Sequence, residues 1–199
     1  HRSDPADLFT GLRLDAITAP SSREELDEAL VELEPAAGAL PPGFDGHEAY
    51  YHWARALDLR GEPGPAREKL ERLLAIRPDF VPALVLAAAI QRALGRSEEA
   101  QAAESRAEEA ASSSSSRWAR TWYESRRAER EKRWGDAVVA YGILMDSTAE
   151  GEAPYEGFRM EARLRRGQAR LAAKELAGAL ADFTIANHEW PEAMGPRLY

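Results

Sequence analysis

Two glycines 34 residues apart, Gly61 and Gly95, constrain this chain more than any other feature. Ala66 and Ala100 keep the same separation, and so do Leu73 and Ala107. A self-similar period of that length marks a repeat architecture. Each repeat is one supersecondary unit that cannot bury its apolar face alone, so the units must stack. The segment His47 to Phe80 reads as one unit and Val81 to Ser114 as the next.

The first unit shows what each repeat contains. Ala49, Tyr50, Trp53, Ala56 and Leu57 recur at helical spacing, and Gly61 stands where a left-handed residue closes a helix. Pro63 and Pro65 fall in the first turn of a second helix, where a missing N–H costs little. That helix carries Ala66, Leu70, Leu73, Leu74 and Ile76, and Pro78 stops it.

The unit resembles the tetratricopeptide repeat. That family's pattern has an aromatic at position 4, a large apolar residue at 7, a small one at 8 and a large apolar one at 11. It continues with Gly at 15, Ala at 20, an aromatic or Leu at 24, Ala at 27 and Pro at 32. Here those positions hold Tyr50, Trp53, Ala54, Leu57, Gly61, Ala66, Leu70, Leu73 and Pro78, and only Leu73 departs. The second unit keeps Leu84, Ala87, Ala88, Gly95, Ala100 and Ala107 but has Gln91, Glu104 and Ser112 at positions 11, 24 and 32. A third unit fits from Trp118 through Ala137, Tyr141 and Leu144, with Lys132 in place of the glycine. A fourth fits from Met160 through Gly167, Ala179, Phe183, Ala186 and Pro191. The spacing stretches between units: Ala100 to Ala137 is 37 residues and Ala137 to Ala179 is 42. The additions fall around the Ser112–Ser116 run and in a loop over 147–156.

The resemblance implies an all-α, right-handed solenoid of about four antiparallel helix pairs. The units run over 47–80, 81–114, 118–151 and 160–193, each touching only its neighbours. Helix pairs are expected at 47–60 with 63–76, 81–94 with 97–111, 116–132 with 134–146, and 156–173 with 175–188. Residues 1–46 read as an acidic N-terminal cap, with a capping box of Ser22 and Glu25 opening a helix that Pro35 ends. Residues 194–199 read as the start of a further helix or a tail. The chain opens on His1 rather than Met, which suggests a processed form or an excised fragment.

Composition narrows the function classes. The net charge is -8, and residues 1–46 hold ten acids against three bases. That asymmetry argues against a protein that coats nucleic acid as a whole. No cysteine is present, so no thiolate nucleophile or cysteine-bound zinc is available. Histidine spacing offers no HExxH, and neither a P-loop, a GxGxxG nor a GxSxG elbow occurs. We therefore expect no enzyme, no cofactor and no metal. No apolar stretch is long enough to span a bilayer. Abundant alanine, and arginine in place of lysine, point to a GC-rich bacterial genome, with cytoplasm and periplasm both open.

Surface recognition is what remains. In the tetratricopeptide family the first helix of each pair lines a concave groove through positions 2, 5, 6, 9, 12 and 13. Carried onto this chain, those positions give Tyr51, His52 and Arg55, then Arg92, then Trp122, Tyr123, Arg126 and Arg130, then Arg165 and Gln168. Aromatics and arginines are the usual anchors of binding energy, and guanidinium groups suit carboxylates. The expected partner is a protein or peptide with acidic and apolar side chains, held as an extended or helical segment. Two readings compete. One of Trp122 and Tyr123 must face the core, and Arg126 and Arg130 have carboxylates, Glu129 and Glu124, on their own helix. The Lys/Asn clamp with which family members hold a chaperone's C-terminal carboxylate is absent: Glu48, His52, Pro82, Leu86, Ala119 and Tyr123 stand there. The rival function is single-stranded nucleic-acid binding by Arg117 to Trp134, whose seven bases interleave with four aromatics.

Overall fold

The computed structural model describes Val31, residues 47–149 and residues 157–189. The Ser22–Glu25 capping box, the acidic cap and the 194–199 tail lie outside the described residues, Val31 apart. Among the described residues from 47 on are eight helices and no strand. They are α1 (His47–Arg60), α2 (Pro63–Ile76), α3 (Val81–Ala93), α4 (Ser97–Ser113), α5 (Arg117–Arg130), α6 (Trp134–Ala149), α7 (Gly157–Ala172) and α8 (Leu176–Glu189). Every boundary lies within three residues of the expected register. The loop expected from 147 is instead the last turn of α6 as far as Ala149.

One device ends the first helix of all four pairs. Gly61, Gly95, Lys132 and Lys174 all have positive φ, at 84°, 74°, 57° and 65°. Behind each, the same two backbone bonds close the turn: Gly61 N donates to Asp58 O and Glu62 N to Leu57 O, with matching bonds after Gly95, Lys132 and Lys174. This satisfies carbonyls that a helix C-terminus leaves open. The two lysines occupy the left-handed region without glycine's freedom, at some cost. At the other ends, Ser116 caps α5 by accepting from Ala119 N at 3.3 Å, and a proline sits in the first turn of α2 and α3.

Packing follows the small residues. Ala54, Ala66, Ala88, Ala100 and Ala179 are all at most 2% exposed. At Gly167 a methyl group would lie 2.6 Å from the Phe183 ring, so glycine is what allows α7 and α8 to touch. The apolar run in α3 is buried on several sides because that helix touches α1, α2, α4 and α5.

One expectation is corrected. Units were to touch only their neighbours, yet α7 of the fourth pair reaches α1 of the first through Phe158 and Glu161. The stack therefore closes across its concave side. The lengthened connection from α6 to α7 precedes this contact, and α7 packs on α6 as extensively as the helices within a pair do.

Candidate interaction site on the concave face

The predicted groove residues divide into two groups. Tyr51, His52, Arg55, Trp122 and Tyr123 are buried. Arg126 and Arg165 are partly buried, while Arg92, Arg130 and Gln168 reach solvent. An open groove over all ten is thus corrected, and the cause is α7. The Phe158 ring sits among Tyr51, Phe80, Trp118 and Trp122, with centroids at 5.3, 6.3, 4.9 and 5.0 Å. Burying a phenylalanine of this kind is worth about 1.5–3 kcal/mol.

Charge follows the same path. Glu161, 1% exposed, is ion-paired with Arg55 of α1 and accepts from Arg165 Nε at 2.8 Å. Tyr51 donates its hydroxyl proton at 3.4 Å to Glu161 Oε2, the oxygen that pairs with Arg55, while Arg165 takes Oε1. Arg165 also lies 3.5 Å from Glu129, which pairs with Arg126. A ladder of alternating charge thereby runs from α1 through α7 to α5. Burial alone would push the Glu161 carboxyl up, but Arg55 and Arg165 outweigh it and hold it at about 2. Burial, reinforced by Arg55, pushes His52 down to about 3, so its ring is neutral at pH 7. Burial and Glu161 together raise the Tyr51 hydroxyl, which stays protonated and can donate.

The guanidinium groups expected to hold a partner's acids are thus matched in part by acids of the chain itself. Sequence reasoning missed Phe158, Glu161 and Glu104. Glu161 stands at position 2 of the fourth unit, a groove position, and that register was the signal available. Arg126 does pair with Glu129, whereas Arg130 pairs not with Glu124 but with Glu104 from α4.

The other half of the face stays open as a cleft between α3, α4 and α5. It is lined by Val85, Ala88, Ala89, Arg92, Glu104, Tyr123, Arg126, Arg127 and Arg130. Arg92 and Arg130 share the single carboxylate of Glu104, the first at 2.6 Å. Burial and the charge of Arg92 both lower the Arg130 pKa, as expected of two cations sharing one anion. Arg127 lies beside them, 2.9 Å from Glu131 and 3.7 Å from Glu108.

The rival stacking platform is corrected by burial. Trp118 is 3% and Trp122 1% exposed, so those rings cannot receive bases. Among the described residues no group of three His, Asp or Glu could hold a metal, and no helix is long and apolar enough to cross a membrane.

Four helix pairs, the first two 34 residues apart and each first helix closed by a left-handed residue, make this an all-α helical-repeat protein similar in architecture to tetratricopeptide repeats. No family model matches the chain, and no curated protein matches it. Several solved structures are similar in outline. MamA from Desulfovibrio magneticus is 16% identical over 94% of this chain and 96% of that one, at a TM-score of 0.47. A variant of a Podospora anserina kinesin light chain with TPR-like repeats is 18% identical over 94% and 96%, at 0.48. A tetratricopeptide repeat protein from Parabacteroides merdae is 16% identical over 97% and 86%, at 0.42.

Proposed function

We propose that this chain is a protein–protein interaction scaffold, and that the open cleft between α3, α4 and α5 holds acidic side chains of a partner protein. The observation behind this reading is the sharing of Glu104 by Arg92 and Arg130, with Arg126 and Arg127 on the same cleft wall. A carboxylate entering there would relieve repulsion between cations already fixed in place, so little ordering is needed on binding. Tyr123 and the α3 side chains Val85, Ala88 and Ala89 supply apolar area beside the charges.

The test uses polyglutamate as the probe, followed by a partner captured from the native cell. Wild type binds both, with an affinity that falls as salt rises. Arg92→Glu/Arg130→Glu weakens binding at least tenfold while the circular dichroism stays that of the wild type. Equal binding by wild type and variant would remove the cleft from consideration.

A further inference from the structure

The inner half of the concave face has an occupant, and that occupant is a helix end. Phe158 and Glu161 project from the first turns of α7 onto Tyr51, Arg55 and Trp122, three of the positions expected from the sequence to line the groove. Ordinary stacking does not require the contact, because two repeats lie between the first and fourth units and neighbours alone suffice for a solenoid. The contact also has the character of recognition more than of plain core. A fully buried carboxylate meets two guanidinium groups and a tyrosine hydroxyl, an arrangement that contributes less to stability than apolar residues of equal volume and more to choosing one geometry.

We infer that α7 acts as an intramolecular ligand of the concave face, and that this face accepts helical partner segments bearing an aromatic residue and, three positions on, a carboxylate. Such a segment would enter by displacing the first two turns of α7. The ring takes the place of Phe158 among Trp118, Trp122 and Phe80, and the carboxylate takes that of Glu161 against Arg55. The site is distinct from the arginine cleft, so the failure of either reading leaves the other standing.

The experiment uses the full chain and a synthetic peptide of residues 157–172 as the probe. The Phe158→Ala/Glu161→Gln chain binds the peptide at least tenfold more tightly than wild type, because its own occupant is weakened. A peptide carrying the same two changes binds neither. In wild type, hydrogen exchange at 158–165 is at least tenfold faster than in α3, and saturating peptide speeds it further. Equal peptide affinity of the two chains would overturn the inference. Where the double variant does not fold, Glu161→Gln alone replaces it. Exchange at 158–165 as slow as in α3 would also overturn the inference, since the helix then leaves only when the whole chain unfolds.

Discussion

Glu161 of α7 and Arg55 of α1, 106 positions apart in the chain, form a buried ion pair that joins the fourth helix pair to the first. The carboxylate is 1% exposed and the guanidinium side chain 10%. A pair this buried is costly to break one side at a time and inexpensive to replace as a whole.

Glu161→Gln therefore leaves Arg55 buried beside a neutral amide. The expected loss is about 3–5 kcal/mol, read as a fall in the urea midpoint. Arg55→Met/Glu161→Met recovers most of that loss. If the Arg55→Met/Glu161→Met variant unfolds at the same denaturant concentration as Glu161→Gln, the unpaired charge is not the source of the cost.

Acid should weaken the fold before the carboxylates titrate. His52 is held at about 3, below its ordinary value of 6.5. The unfolded chain therefore takes up a proton there that the folded chain refuses. Stability is complete above pH 6.5 and declines as pH falls toward 3. At pH 5 the loss is about 2 kcal/mol. Glu161, held at about 2 against 4.5, adds a further loss below pH 4.5. In urea titrations across this range, His52→Gln should stay level from pH 7 to about 5 where wild type slopes. Parallel curves would show that His52 is accessible to protons in the fold.

The left-handed caps make an opposite pair of predictions. Lys132→Gly and Lys174→Gly relieve side chains held at φ of 57° and 65°, and each should stabilise by about 1 kcal/mol. Gly61→Ala, at φ of 84°, should destabilise by about the same amount. Thermal unfolding of the three variants gives the signs directly.

Close approach of α7 and α8 depends on Gly167. Gly167→Ala places a methyl group against Phe183, whose ring carbon lies 2.6 Å from that position. Phe183 is only partly buried and can give way, so the cost is about 1 kcal/mol. Ala66→Leu has no such outlet at 0% exposure and should cost about 1–3 kcal/mol. Equal midpoints for the two would mean that the packing at Ala66 is looser than its burial implies.

The sequence by itself determined the repeat, because the repeat is local. Helix starts and stops follow from proline, serine and left-handed residues, and the small positions at Ala54, Ala66, Ala88, Ala100 and Ala179 follow from a fixed register. Hence the helix boundaries, and the burial of those alanines, were legible without coordinates. The candidate site was legible only as a list of positions. Whether Tyr51 or Arg55 faces water depends on how much curvature accumulates over four pairs and on where a lengthened connection lets α7 settle. Neither quantity is local. Phe158 falls outside the fourth unit's pattern, and the register places Glu161 at a groove position without showing that folding brings it to Arg55. The tertiary structure alone decided that half of the groove is filled from within, and that Arg92 and Arg130, on different repeats, converge on Glu104 at the edge of the half left open.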